Sequence, residues 1–276
     1  MLNLLDAEFY KWKKSRSFKI CSLLIVGIVI FAYVMIYVAS NIQDGKIPNG
    51  TGGVIVSSDF ADENVIDTLK TIGILGMMGE ITGSGLAGIF ITVFVCIWCI
   101  SEYTNGAAKN TAGKGYTRVK VFLSKYLSTA WCTVLMNLIC IAAAFVVGII
   151  AIGTSDINGL FFKDLLFYIA MQLFLGIAFG GIVAAICEFV RNMAGGIAIG
   201  MILVTISTTF VDAVDMLFQS MNINFRPGDY WILSVIAKCP PRSMDINFVT
   251  QGIFAAVLWI AVSFVLGMIH FQRKDI

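Results

Sequence analysis

Charged residues are scarce in this sequence, and long stretches contain none at all. Of 276 residues, only 13% are Asp, Glu, Lys or Arg, whereas 58% are hydrophobic. Soluble domains carry about 25% charged residues. With so few polar side chains the folded chain cannot cover its own apolar surface, so lipid has to cover it. The composition therefore excludes a soluble enzyme, a disordered segment and a disulfide-rich secreted domain.

Histidine is almost absent, which excludes several kinds of catalytic chemistry. His270 is the only histidine, so one chain cannot build a zinc site from several histidines. The motifs H-E-x-x-H and G-x-S-x-G do not occur. Seven cysteines are present, but Cys96 and Cys99, which have the spacing of a redox pair, lie in an apolar run, as do four others. We interpret these six as small buried hydrophobic residues.

Six apolar runs are each long enough to cross a bilayer. About 20 apolar residues span the hydrocarbon, and none of the six runs contains Asp, Glu, Lys or Arg. They predict an all-α integral membrane protein in a single domain, residues 1–276, with six transmembrane helices. The predicted spans are about 20–40, 81–101, 126–152, 165–187, 193–211 and 248–270.

Lys and Arg are distributed unevenly between the segments that connect these runs. If the N-terminus is inside, the cytoplasmic segments hold 13 of these residues and the outer segments hold 6. Basic residues accumulate on the cytoplasmic side of membrane proteins. The distribution therefore predicts a multi-pass protein of the plasma membrane with both termini in the cytoplasm.

The N-terminal residues 1–19 contain a candidate amphipathic helix. Leu2, Leu5, Phe9 and Trp12 recur at helical spacing, and lysines occupy other positions around the helix. Such a helix lies in the membrane interface with its apolar side toward the lipid. Two roles stay open, that of a plain membrane anchor and that of a lever between the membrane and a cytoplasmic partner.

Two outer segments are expected to contain structure. In the first, Ser57-Ser58-Asp59 has the character of a helix N-cap, which predicts a short outer helix leading into the second span. In the second, residues 212–247, the stretch beginning at Trp231 is too apolar for a solvated loop. We predict an apolar outer hairpin, or a re-entrant helix, resting on the outer leaflet before the sixth span.

Few polar residues occur at membrane depth. Glu80 lies at the outer edge of the second span, and Asn137 and Gln172 lie within the third and fourth. Polar groups at this depth are candidates for a transport path, although Glu80 also fits the headgroup zone. Proton and sodium pumps need more buried carboxylates than this, which argues against a secondary transporter.

The first cytoplasmic loop superficially resembles a nucleotide-binding P-loop. A P-loop reads G-x-x-x-x-G-K-[ST]. Here Ala108 occupies the position of the first glycine, and Gly115 stands where Ser or Thr should hold magnesium. We therefore expect this chain to bind no ATP of its own and not to be an enzyme by itself, with no catalytic residue, metal or cofactor.

The same loop carries a longer pattern, which begins with E-Y-x-N-G-x-x-K-N from Glu102 to Asn110. It continues with G-x-x-R, which ends at Arg118, and with L-S-K at the start of the next span. This pattern resembles the permease subunits of type-2 ABC (ABC-2) exporters. It is most similar to the small bacterial permeases associated with bacitracin, lantibiotic and phenol-soluble-modulin export. The opening E-x-x-K-x-x-x-S pattern, beginning at Glu8, is also similar to theirs.

The resemblance implies a half-transporter. Two six-helix permeases, identical or different, would pair, and each would dock a separate cytoplasmic ATPase that binds ATP and Mg²⁺. It assigns the N-terminal helix, with Leu5, Phe9 and Trp12, to the family's interface helix. It implies a coupling helix between the second and third spans that fits into a groove of the ATPase. The coupling residues it implies are Glu102, Tyr103, Asn105, Gly106, Lys109, Asn110 and Arg118.

The cargo is implied only by the relatives named above. They export or expel membrane-active peptides, so the resemblance implies export of amphipathic, antimicrobial or toxin peptides through a path between the two permeases. The alternatives are an exporter of lipid-linked, small-molecule or ion substrates, and a membrane accessory or sensor protein without transport activity. No nucleic-acid partner is expected.

Overall fold

The computed structural model describes residues 2–43, 63–104, 117–152, 159–221, 223, 225–242 and 244–273. These residues form helices and contain no strand, which confirms the all-helical prediction. A 3₁₀ turn, Pro227–Asp229, lies between the seventh and eighth helices. The helices are α1 (Leu2–Lys14), α2 (Arg16–Gln43), α3 (Glu63–Gly83), α4 (Leu86–Thr104), α5 (Arg118–Ile152), α6 (Gly159–Val190), α7 (Met193–Ser220), α8 (Ile232–Ala237) and α9 (Ile246–Arg273).

Five of the described helices are long and apolar enough to cross a membrane, namely α2, α5, α6, α7 and α9. A sixth crossing is possible if α3 and α4, which meet at 44°, form one broken span. The chain is therefore a multi-pass membrane protein. The helices also extend beyond the predicted spans, because their polar ends lack the hydrophobicity by which a span is recognised in sequence.

The second span is where the prediction of one continuous helix over 81–101 is wrong. α3 ends at Gly83, and α4 begins at Leu86. Between them Gly85 has a φ of 76°, in the left-handed region that favours glycine. Gly73 has a φ of 66° and interrupts α3 itself. A run of apolar residues predicts the length of a span but carries no information on these two backbone bends.

α6 is the most enclosed of the membrane helices, with 67% of its apolar window buried. It runs parallel to α9, and glycines bring the two backbones close together. Gly252 of α9 lies against Met171, and Gly181 of α6 lies against Ser263. Gly267, farther along α9, lies near the backbone of Ala185. These contacts extend from residue 171 to residue 185 of α6 and from residue 252 to residue 267 of α9.

The segment before α9 packs into the helix bundle. Ile232 of α8 is fully buried, and the backbone carbonyl of Ile236 lies 3.4 Å from Nε2 of Gln172, which is near the middle of α6. The indole N–H of Trp231 donates to Oγ of Ser207 on α7 at 3.1 Å. α8 therefore packs against the helix bundle, and burial between helices explains why this segment is so apolar.

Asp215 holds the entry to this segment. Its carboxylate is buried on α7, where Oδ1 accepts a hydrogen bond from the backbone N–H of Gly228 at 3.0 Å. Nζ of Lys238 lies 3.9 Å from Oδ2 of Asp215 and 3.7 Å from Asp229. One carboxylate therefore joins α7 to both ends of the segment that contains α8.

Replacing Asp215 by alanine is expected to loosen this segment and expose Cys239. Cys239 is buried, so it should react slowly with a membrane-impermeant maleimide. Labelling in Asp215→Ala should be about tenfold faster, because loss of one hydrogen bond to a charged acceptor costs about 1.5–3 kcal/mol. Asp215→Asn keeps the Oδ1 acceptor and is the matched control. Equal labelling of all three proteins would contradict the anchoring role.

Candidate functional site

Four helix ends meet at one end of the bundle, next to the predicted coupling loop. Tyr103 lies in the last turn of α4, and its hydroxyl donates a hydrogen bond to the carboxylate of Glu188 at the end of α6. Arg118, the first residue of α5, donates from Nη1 to the carbonyl oxygen of Gln272, near the end of α9, at 2.8 Å. The residues that flank the loop are therefore bonded to two different helices, α6 and α9.

Two cations lie on the ring of Tyr103. Nζ of Lys125, on α5, lies 4.2 Å from the ring centre, and the guanidinium carbon of Arg191 lies 4.6 Å from it. Lys125 also lies 5.8 Å from the ring of Phe271 on α9. Cations over aromatic faces contribute about 0.5–2 kcal/mol each, and most when water is excluded. Tyr103, Lys125, Glu188, Arg191 and Phe271 are called the Tyr103 cluster below.

The electrostatics of the cluster keep Tyr103 protonated. Burial raises the pKa of the Tyr103 phenol, and the neighbouring carboxylate of Glu188 raises it further. Glu188 itself is only 3% exposed. A buried carboxylate needs donors or cations around it. The Tyr103 hydroxyl is one such donor, and Lys125 and Arg191 lie on the ring of the same tyrosine, so α4, α5 and α6 are joined through a single polar centre.

Arg191 reaches the cluster through a strained turn. It is in the left-handed region with φ at 49°, which is uncommon for a residue other than glycine and costs about 1–3 kcal/mol. Asn192 follows it and caps α7, its Oδ1 accepting a hydrogen bond from the N–H of Ala194 at 3.2 Å. The turn between α6 and α7 is therefore only two residues long, which holds the Arg191 guanidinium beside Tyr103.

The N-terminal helix packs against the same end of the bundle. The ring of Phe9 lies edge-on to Trp131 of α5 at 5.8 Å. Trp12 packs on Phe18 at 5.1 Å, and Phe18 packs on Phe94 of α4 at 5.5 Å. α1 is thus linked by aromatic contacts to α2, α4 and α5. This arrangement is more extensive than a helix that touches only lipid would require.

Glu8 adds a buried charge beneath α1. It is 8% exposed and accepts a hydrogen bond from Nζ of Lys11 at 2.8 Å. It belongs to the E-x-x-K-x-x-x-S pattern that begins the chain. Because the carboxylate points into the bundle rather than to solvent, this part of the pattern positions α1 on the protein.

The whole chain matches one family. A family model described as an ABC-2 family transporter protein matches residues 2–276. The chain belongs to the ABC-2 transporter family. Proteins of this family are membrane permeases that generally work with a cytoplasmic ATPase. No curated protein matches the chain.

The suggested path residues of this ABC-2 chain make different contacts in the structure. Glu80 is exposed. Asn137 lies against Gly176, and its Nδ2 donates to the carbonyl oxygen of Thr133 at 3.1 Å. Gln172 is buried and donates to the hydroxyl of Tyr168 at 3.0 Å.

Several predicted coupling residues of the ABC-2 chain lie outside the described residues. The side chains of Leu5 and Glu102 also lie outside them, although the backbone of both is helical. The coupling residues that lie wholly outside the described ranges are Asn105, Gly106, Lys109 and Asn110.

In the ranges that the structure does describe, no group of three or more His, Cys, Asp or Glu is arranged to hold a metal ion.

Sequence reasoning missed Glu188 as a site residue. It follows the fourth predicted span directly, and Arg191 comes three residues later. Charged residues at the edge of a membrane run are functional candidates. The position of Glu188 directly after a span could have been recognised in the sequence. Its partner could not, because Tyr103 is 85 residues away along the chain.

Proposed function

We propose that this ABC-2 chain is the membrane-spanning subunit of an ATP-driven exporter. It pairs with a second permease, identical or different, and docks a separate cytoplasmic ATPase through residues 102–110. In this proposal both termini are in the cytoplasm of the cell, and the chain itself hydrolyses no ATP. The single observation that supports this most is that Tyr103, near the start of this loop, and Arg118, beyond its end, are attached to different helices.

A loop that transmits force has to be attached firmly where it leaves the membrane. On one side of the loop Tyr103 is bonded to α6, and on the other side Arg118 is bonded to α9. A displacement of the loop by the ATPase would therefore move α4 and α5 together with α6 and α9. The lever role of α1 fits the same scheme, because its aromatic side chains contact α4 and α5 through Phe18 and Trp131.

The cargo in this proposal is an amphipathic peptide of the antimicrobial or toxin type. The motif resemblance to the bacitracin, lantibiotic and phenol-soluble-modulin permeases is its main support. The structure adds that Gln172, the polar residue deepest in the fourth span, is bonded within the bundle. A membrane-active peptide does not need a hydrophilic path lined by such side chains.

The coupling role predicts that Glu102→Ala and Gly106→Val weaken ATPase docking while the bundle stays folded. Glu102 offers a charge-assisted hydrogen bond worth about 1.5–3 kcal/mol, so loss of docking should be about tenfold or more. Gly106 follows Asn105 in a dipeptide typical of turns, where a branched residue is disfavoured. Co-purification of the ATPase and peptide-stimulated ATP hydrolysis are measured on the same variants.

Thr117→Ala, at an exposed position on the far side of the loop, is the matched control and should behave like the wild type. Normal docking and normal stimulated hydrolysis in both loop variants would remove the coupling role. Stimulation by ions or sugars alone, with no response to amphipathic peptides, would remove the proposed cargo. ATP hydrolysis by the pure chain without a partner would contradict the proposed division of labour.

A further inference from the structure

A lateral groove lies between the first turns of α6 and α9. It consists of two adjoining cavities of about 380 Å³ and 430 Å³. Both are lined by Phe167 of α6, Val249 of α9 and Met244 of the segment between α8 and α9. Cavities of about 300–1,000 Å³ are typical of sites for small molecules. The groove is therefore large enough for a bound ligand.

The groove opens toward the bilayer. Phe167 is 56% exposed and Ile253 is 44% exposed, so its walls continue into the lipid-facing surface of the bundle. The second cavity is bounded by apolar side chains, including Met171 and Phe174. Lys163 and Asp164 line only the first cavity, nearer the start of α6. The groove thus has an apolar end and a charged end.

The charged end lies at headgroup depth. α6 has 32 residues and is about 48 Å long, whereas the hydrocarbon of a bilayer is about 30 Å thick. Lys163 and Asp164 lie in the first two turns of α6, directly before its charge-free run. Phe174 lies 11 residues farther along, or about 16 Å deeper. This spacing places the charges among headgroups and the apolar cavity among acyl chains.

The two charges are of opposite sign and face the same cavity. Neither Lys163 nor Asp164 has a hydrogen-bond or ion-pair partner among the residues that the structure describes. An anionic headgroup would satisfy Lys163 and be repelled by Asp164. A headgroup that carries both a phosphate and an ammonium group complements the pair.

We propose that this groove is a binding site for a zwitterionic phospholipid. One acyl chain lies between α6 and α9, the phosphate lies at Lys163 and the ammonium group lies at Asp164. The lipid contacts Met244 and Pro241, and so supports the segment that connects α8 to α9. This site is separate from the coupling loop and does not depend on the exporter proposal.

Mass spectrometry of the lipid that stays bound to the purified full chain tests the proposal. The chain is purified in mild detergent from membranes that contain equal amounts of phosphatidylethanolamine and phosphatidylglycerol. We expect retention of the zwitterionic lipid over the anionic one by about threefold to tenfold, the size expected of partly exposed ion pairs. Ile253→Trp, which fills the apolar end, should lose the retained lipid. Leu166→Trp, on the lipid-facing side of α6 at 69% exposure, is the matched control.

The double variant Lys163→Ala, Asp164→Ala should keep a lipid and lose the preference for its headgroup. A photoactivatable residue at Met244 provides a second readout in the otherwise unchanged chain and should capture phospholipid in membranes. Preferential retention of phosphatidylglycerol would overturn the headgroup assignment. The assignment of the groove as a lipid site would be overturned if a folded Ile253→Trp protein retained as much lipid as the wild type. Capture of added amphipathic peptide instead of lipid at Met244 would also overturn it.

Discussion

Replacing Gly181 by leucine is expected to prevent normal packing of the bundle. A side chain at this position of α6 would meet the hydroxyl of Tyr126 on α5, and its Cβ would lie 2.9 Å from Oγ of Ser263 on α9. Those two hydroxyls are themselves hydrogen-bonded at 2.9 Å. Insertion of extra atoms into a packed core costs about 1–3 kcal/mol, and leucine adds a whole branched side chain, so we expect about 3 kcal/mol.

The seven cysteines provide the measurement, because all of them are buried in the folded chain. Their reaction with a fluorogenic thiol reagent during heating in detergent reports unfolding. A cost of about 3 kcal/mol should lower the midpoint by roughly 6 °C or more. Gly27→Leu is the matched control, because a Cβ at Gly27 of α2 meets nothing within 4 Å. An unchanged thermal midpoint in Gly181→Leu would contradict the close contact of Gly181 with Tyr126 and Ser263.

Replacing Glu188 by alanine is expected to disrupt the Tyr103 cluster. The change removes the acceptor of the Tyr103 hydroxyl and leaves the positive charges of Lys125 and Arg191 on the same ring without this carboxylate. Removal of one partner from a buried charged group costs about 3–5 kcal/mol. We therefore expect the largest loss of stability among single changes at this end of the bundle.

Two further variants separate the charge of Glu188 from its hydrogen bond. Glu188→Gln keeps an acceptor for Tyr103 but removes the charge, while Tyr103→Phe keeps the ring under the cations and removes the donor. Each should cost less than Glu188→Ala, and Tyr103→Phe about 1.5–3 kcal/mol. The thermal midpoint is measured for all three, with ATPase co-purification as the second readout. Wild-type values for Glu188→Ala would exclude a structural role for the cluster.

Five long membrane helices and their order in the chain were predictable because the solvent of these helices is lipid. A span needs enough consecutive apolar residues to cross the hydrocarbon, whatever its neighbours are. Five of the six runs therefore correspond to single long helices. The sixth run, 81–101, is hydrophobic enough for a span, but its helix is interrupted between Gly83 and Leu86. Which glycine among several takes a positive φ, here Gly85, depends on contacts that a composition rule does not include.

The segment containing α8 could be predicted only in part. Its apolar residues indicated burial, but six helical residues are too few to cross a membrane or to define a partner. The hydrogen-bond partners of this segment come from three helices: Gln172 of α6, Ser207 and Asp215 of α7, and Trp259 of α9. Such contacts follow from the way α6, α7 and α9 are arranged around the segment.

The sequence by itself determined a helical membrane protein of the ABC-2 type, because hydrophobic length and a local motif are properties of adjacent residues. Only the tertiary structure decided where the ends of the predicted coupling loop are attached. The two residues of each hydrogen-bonded pair are far apart along the chain, and no sequence periodicity relates them. The pairs are Tyr103 with Glu188 and Arg118 with Gln272. Their pairing results from the packing of helix ends, where a buried charge must find its partner on whichever helix the fold brings near.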